Sequence, residues 1–227
     1  MKKIITGILI LSAFCIAFSN PAVAKKKEFK GTISYKISYP EGSVDESMKA
    51  MLPKLMKVSF RQSMVKTEIN SGMGKQIEIL NSEEKTTTSL LDIMGQKFSI
   101  KTSAEEIQDE LAKAPETKIT YTDETKEIAG YACKKIIVTF KEQGSEKETE
   151  LTAYIAEEFS NEGVYFDNPV FKGIKGILLE FEMKSNDINM KFIATSVNKK
   201  NIAEKEFVVP KDYKETTKDE LRGMFGG

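Results

Sequence analysis

The chain has 227 residues, with 34 basic and 34 acidic side chains, 40% hydrophobic residues, two cysteines, and neither histidine nor tryptophan. Balanced charge gives no electrostatic footprint for nucleic acid, and the hydrophobic share is enough for a packed core. The missing histidine excludes Ser-His-Asp and Cys-His catalysis, histidine ligation of zinc, and the commonest general base near neutral pH.

The first predicted element is an export signal. Lys2 and Lys3 precede an apolar run from Ile4 to Phe18, and Ala22-Val23-Ala24 forms a small-x-small cleavage site before Lys25. The run is shorter than the ~20 residues of a comfortable membrane span. Residues 1–24 therefore read as a signal peptide removed between Ala24 and Lys25. Residues 25–227 read as one periplasmic or secreted domain with no stable membrane anchor. Cys15 does not read as a lipidation site, because Phe14 is too large for the position before a lipidated cysteine. Cleavage leaves one cysteine, Cys133, so neither an intramolecular disulfide nor a thiolate metal cage is expected.

Phe29, Gly31, Ile33, Tyr35, Ile37 and Tyr39 alternate with polar residues, the period of a half-buried strand, and Pro40-Glu41-Gly42 ends it. The period then changes. Val44, Met48, Met51, Leu52, Leu55 and Met56 follow helical spacing, Ser43 and Glu46 have capping-box spacing, and Pro53 predicts a kink or two short helices. Strand patterns resume at Val58, Phe60 and Met64, then at Ile77 and Ile79, Leu91 and Ile93, and Phe98 and Ile100, with turns at residues 71–74 and at Gly95. Ser103 and Glu106 cap a second helix with a thin apolar face, Ile107 and Leu111, which Pro115 stops.

Ile119 and Tyr121 begin the next strand, and residues 131–140 are strongly β-prone. Leu151, Ala153 and Ile155 answer them across a turn near Gly144. Residues 157–176 are irregular and turn-rich. Ile177, Leu179, Phe181 and Met183 then alternate, mirrored by Ile188, Met190, Phe192 and Ala194 across a Ser-Asn-Asp turn. Thr217 to Phe225 form a short capped helix or fray. About ten strands and two helices without strand–helix alternation give a mainly β, α+β class. The expected architecture is a curled antiparallel sheet or open half-barrel, with helices covering its concave face.

Four stretches, in this order, resemble a family of exported bacterial proteins, domain of unknown function 4412. They are Phe29-Lys-Gly31-Thr-Ile33-Ser-Tyr35, Ile128-Ala-Gly130-Tyr131-Ala-Cys133-Lys134-Lys135, Gly176-Ile-Leu-Leu179, and Phe207-Val-Val-Pro210-Lys-Asp-Tyr213. Asp212 stands where such proteins often carry glycine, and Tyr154 where they carry tryptophan. The broader resemblance is to the LolA/LolB-like fold. It implies an open half-barrel whose apolar concave face carries lipoproteins or lipids, an analogy of fold only.

Cys133 reads as a small buried strand residue and not as a nucleophile, since no histidine or helix N-terminus activates it. Its parity is opposite to that of Ile136, Val138 and Phe140, which on an ordinary strand would turn it outward, where it could link two chains. Met48, Met51, Leu52, Leu55 and Met56 are either core or an adaptable lid over an apolar pocket. Tyr35, Phe60, Phe181 and Phe192, with Ile33, Ile37, Leu179 and Met190, are either core or the wall of that pocket. Ser71-Gly-Met-Gly-Lys75 lacks the spacing of a phosphate loop. No catalytic residue, metal site or cofactor is expected.

Two functions stay open. One is a non-enzymatic binder or carrier of a hydrophobic or lipid-like ligand. The other is an envelope protein-interaction module with a filled core, using the sheet edge or Tyr165, Phe166 and Phe171 of the irregular segment.

Overall fold

A computed structural model describes residues 27–141, 148–160, 163–185 and 188–225. The signal segment, Cys15, the Ala24–Lys25 junction and the turn near Gly144 lie outside the described residues, as do Asn186 and Asp187 of the Ser-Asn-Asp turn. The strands are β1 (Lys27–Glu28), β2 (Gly31–Ser38), β3 (Leu55–Arg61), β4 (Met64–Ser71), β5 (Gly74–Asn81), β6 (Thr86–Ile93) and β7 (Gln96–Thr102). They continue as β8 (Thr117–Ile128), β9 (Tyr131–Lys141), β10 (Glu148–Ala156), β11 (Phe159–Ser160), β12 (Ile177–Ser185), β13 (Ile188–Lys199) and β14 (Lys214–Glu215). The helices are α1 (Glu46–Lys49), α2 (Ala104–Ala112) and α3 (Lys218–Phe225).

Among the described residues, twelve strands form one open sheet in the order β14-β7-β6-β5-β4-β3-β2-β13-β12-β10-β9-β8. The expected mainly β class and open antiparallel sheet are observed, with more strands than the alternation suggested. Ladders are antiparallel except for the short pair β14–β7, and β1 pairs separately with β11 in parallel. β8 and β13 are four strands apart, which in a flat sheet is about 19 Å. Their Cα atoms nevertheless come within 8 Å, so the sheet curls.

Register follows the alternation. Ile33 lies opposite Val58 and Val197, Tyr35 opposite Met56 and Ala194, and Ile37 opposite Phe192. Phe192 in turn faces Phe181, and Met190 faces Met183, within the hairpin that the alternation predicted. One face of the sheet is thus a continuous apolar surface, carrying the main core. A second, smaller apolar cluster lies over β5 and β6, where Ile77, Ile79 and Leu90 are covered by Ile202 and Phe207, with Met64 and Tyr213 packed alongside. The late Phe207-to-Tyr213 motif is therefore a strap across the back of the sheet.

The second predicted helix is present as α2. Ser103 accepts from the Glu106 backbone N–H at 3.3 Å, the Glu106 carboxylate accepts from the Ser103 N–H at 2.7 Å, and Ile107 enters the main core. The tail is a capped helix, with the Glu220 carboxylate accepting from the Thr217 N–H and the Thr217 hydroxyl from the Glu220 N–H.

The first predicted helix is corrected. α1 is four residues long, its N-cap Asp45 makes no side-chain cap bond, and Ser43 instead closes a turn onto the Pro40 carbonyl. Leu55 and Met56 open β3. Pro53 lacks a backbone donor and disfavours the helical conformation at Leu52. Beyond it the period-two burial of Met56, Val58 and Phe60 prevails.

Candidate functional site

The four predicted wall aromatics come together on the apolar face. Phe181 and Phe192 stack with centroids 4.7 Å apart and planes 4° apart, and Tyr35 meets Phe181 edge-on at 6.0 Å. The Tyr35 hydroxyl donates to the Leu178 carbonyl at 2.8 Å, and burial pushes its pKa well above the ordinary phenol value. Phe60 lies farther along the same face, edge-on to Phe29 at 5.3 Å. All four are between 2% and 8% exposed, so the protein itself already covers them.

Helices are not the main cover. The irregular segment 163–176 places Val164, Phe166, Phe171 and Ile174 in the core. Phe171 meets Phe181 edge-on at 5.8 Å, and the Tyr165 hydroxyl accepts from the Leu178 N–H at 2.9 Å. Tyr165, Phe166 and Phe171 are thus inward contacts. Turn chemistry shapes the segment: the Asn168 side-chain oxygen accepts from the N–H groups of Val170 and Phe171 at 2.9 and 3.0 Å. Further contacts tie it to the strands. Thr117 donates to the Pro169 carbonyl at 3.0 Å, Tyr121 accepts from the Lys175 N–H at 3.2 Å, and the Lys85 ammonium lies 4.9 Å from the Phe166 ring centre. Asp167 interacts electrostatically with Glu78 of β5. Burial raises both carboxyls above their ordinary values, and repulsion from Asp167 adds to the shift at Glu78, against Lys218.

The predicted lid residues divide. Met56 is buried in the sheet, and Leu52 is half-buried. Met48, Met51 and Leu55 are 49%, 50% and 66% exposed and lie outside the core. Met51 shares an open cleft of about 560 Å³ with Met73 and Met94. Leu55 lines a neighbouring one of about 780 Å³ with Lys36, Tyr39, Lys49 and Lys54. Neither alternation nor helical spacing singles out Met73 or Met94. The signal available in the sequence is a methionine in each of two tight turns, where polar residues are the rule.

Cys133 is fully buried, and its thiol donates to the Tyr131 carbonyl at 3.4 Å. The parity argument for an outward thiol fails because both parities of β9 are covered here: Cys133 and Ile136 are equally inaccessible. Burial pushes the thiol to about 11, so the reactive thiolate is scarce near neutral pH. Iodoacetamide is expected to leave the native protein unlabelled over hours and to label it at once in denaturant. A non-reducing gel is expected to show no linked dimer. Rapid labelling of the native state would contradict this burial.

On the outer face, Glu180 is 4% exposed and accepts from Lys126 at 2.7 Å and Lys191 at 2.9 Å. Lys126 also lies over the Tyr154 ring, and the Tyr154 hydroxyl donates to Glu124, which pairs with Lys135. Burial alone would raise the Glu180 carboxyl, but the two lysine hydrogen bonds outweigh it and hold it below the usual carboxylate range. A lowered native pKa stabilises the fold above the unfolded carboxyl's pKa, and that contribution is lost as pH falls through the native value. Glu180→Gln is expected to cost about 2–3 kcal/mol near neutrality, less than a fully buried pair because both lysines reach solvent. It is also expected to flatten the acid limb of a stability–pH curve below about pH 4.5, read by urea unfolding at pH 3 to 7. An unchanged acid limb would remove Glu180 as its cause.

No protein-family model and no curated protein matches the chain. No helix among the described residues is long and apolar enough to cross a membrane, and no group of three or more cysteine, aspartate or glutamate side chains among them could hold a metal ion.

Proposed function

We propose that the protein is a non-enzymatic binder or carrier of a hydrophobic, lipid-like ligand, exported to the periplasm or beyond by residues 1–24. The observation that carries this reading is the cover on the aromatic wall. Phe171 of a turn-built segment rests on Phe181, and Tyr165 of the same segment shares the Leu178 backbone with Tyr35, so this part of the wall is closed by turns and not by a strand or helix. Such a cover exchanges at lower cost than a paired strand, because several of its backbone bonds close within its own turns, from Phe166 to Gly163, Asn168 to Tyr165, Lys172 to Asn168 and Ile174 to Phe171. A ligand that displaces Phe171 from Phe181 would exchange one apolar contact for another. The resemblance to domain of unknown function 4412 and to the LolA/LolB-like half-barrel supports the same reading, with segment 163–176 in the place of a helical lid. Met51 and Leu55 then belong to the rim of the sheet.

The test is native mass spectrometry of protein purified from its own envelope without detergent, followed by organic extraction. A reproducible adduct that extracts as lipid is the expected result. Asn168→Ala, which removes two bonds within the cover, is expected to speed loading. An apo mass that stays clean after incubation with envelope lipids would overturn the carrier reading. The low exposure of the wall aromatics would then favour the second reading, an interaction module with a filled core.

A further inference from the structure

We propose that one end of the sheet is a docking surface for an anionic phospholipid bilayer, built from Met48, Met51, Leu55, Met73 and Met94 with a surround of lysines. The proposal stands whether or not the wall holds a ligand.

The strand ends carrying these residues are neighbours. Leu55 opens β3, Met73 sits in the β4–β5 turn, Met94 sits in the β6–β7 turn, and Met48 and Met51 belong to α1 and the loop after it. The loop is anchored at three points. The Met51 carbonyl accepts from the Gly72 N–H at 2.9 Å, the Lys54 carbonyl accepts from the Ile37 N–H at 2.9 Å, and the Tyr39 hydroxyl donates to the Pro53 carbonyl at 2.7 Å. The exposure of these apolar side chains is therefore a feature of a fixed platform and not of fraying.

The opposite end of the same sheet is an internal control. Its turns place Gln62 at φ 50° in β3–β4 and Lys85 at φ 57° in β5–β6. The β6–β7 turn places Met94 at φ 53°, and Met94 is 94% exposed. The backbone conformation is the same, and it favours asparagine or glycine over methionine. A methionine there leaves its apolar surface in water and gains no packing within the chain. Folding alone does not account for a Met at this end where Gln and Lys stand at the other.

Charge selects the occupant. The ionisable residues lining the two clefts are Lys36, Lys49, Lys54 and Lys75, with Tyr39, against Asp92, while Lys75 also pairs with Glu68 at 3.1 Å and Glu41, Asp45 and Glu46 lie in or just before α1. Asp92 itself lies between Lys75 and Lys97 on the neighbouring strands. Exposed apolar side chains within a lysine surround match an interface of acyl chains beneath anionic headgroups.

The absence of tryptophan makes the test direct. Met94→Trp places a sole indole reporter at the proposed contact, and Gln62→Trp, in a separate variant, places one at the opposite end. With vesicles of phosphatidylglycerol and phosphatidylethanolamine, the indole emission of Met94→Trp is expected to shift to the blue and to be quenched by brominated lipid, less so in high salt. The emission of Gln62→Trp is expected to stay unchanged. Because each reporter senses its own end, adsorption through residues 1–24 does not mimic the result. In the Met94→Trp background, Met51→Asp with Met73→Asp is expected to weaken vesicle partitioning about tenfold or more. An unchanged Met94→Trp spectrum would overturn the proposal. Equal shifts on pure phosphatidylcholine would overturn the choice of an anionic surface. A shift that grows with protein concentration without vesicles would overturn it in favour of self-association.

Discussion

Phe181→Ala is expected to destabilise the protein by about 3–5 kcal/mol, the range for deleting a buried aromatic side chain. Phe181 is where the two halves of the interior meet. Its ring stacks on Phe192 of the adjacent strand, meets Tyr35 of the next, and receives Phe171 from the covering segment. Deletion removes apolar burial and three ring contacts, and the strands around the gap are held by ladder bonds that resist collapse. The loss is expected to be uneven. Hydrogen exchange at the Phe171 and Leu178 amides should speed up more than exchange in β5, because the cover loses the ring it rests on. Urea unfolding gives the global figure. A cost below about 1 kcal/mol would mean that the interior repacks freely and that the wall is not a fixed surface.

Gly31→Ala is expected to cost about 3–5 kcal/mol, from strand displacement and backbone strain together. Gly31 has φ 153°, and a Cβ there would overlap the Asn198 carbonyl oxygen and lie 3.0 Å from its carbon. The obstacle is backbone, so β2 and β13 would have to part where Gly31 faces Lys199 and Thr32 faces Asn198. Gly130 is the control. It also has a positive φ, 81°, but a Cβ there would meet nothing within 4 Å. Gly130→Ala is therefore expected to cost only the conformational share, about 1 kcal/mol. Thermal or urea unfolding of the two variants separates steric from conformational cost. Equal costs would show that close strand approach is not what requires glycine at Gly31.

The two glycines show how far local sequence reaches. In the sequence Gly31 lies within the alternation of the first strand and Gly130 just before the β-prone stretch 131–140, and nothing nearby in the chain says which of them a side chain would break. Gly31 is critical because of Asn198, far along the chain, which only strand order brings against it. The methionine stripe repeats the lesson. Met51, Leu52, Leu55 and Met56 fit a helical face, yet Met56 and Leu55 also fit opposite faces of a strand. Pairing of β3 with β2 and β4 decides between them. Cys133 could not be placed by parity, because parity assigns a face and not whether that face is covered.

What the sequence determined by itself is whatever depends on neighbours within a few residues. Alternation set the β12–β13 hairpin, and a capping box set the start of α2, since turns and caps are local interactions. The lack of histidine removed whole classes of chemistry before any fold was known. The tertiary structure alone decided that segment 163–176 covers the aromatic wall, that Met51, Met73 and Met94 share one exposed end, and that Glu180 sits between two lysines. Burial and electrostatic pairing depend on residues far apart in the chain, and a curled sheet chooses those partners through strand order.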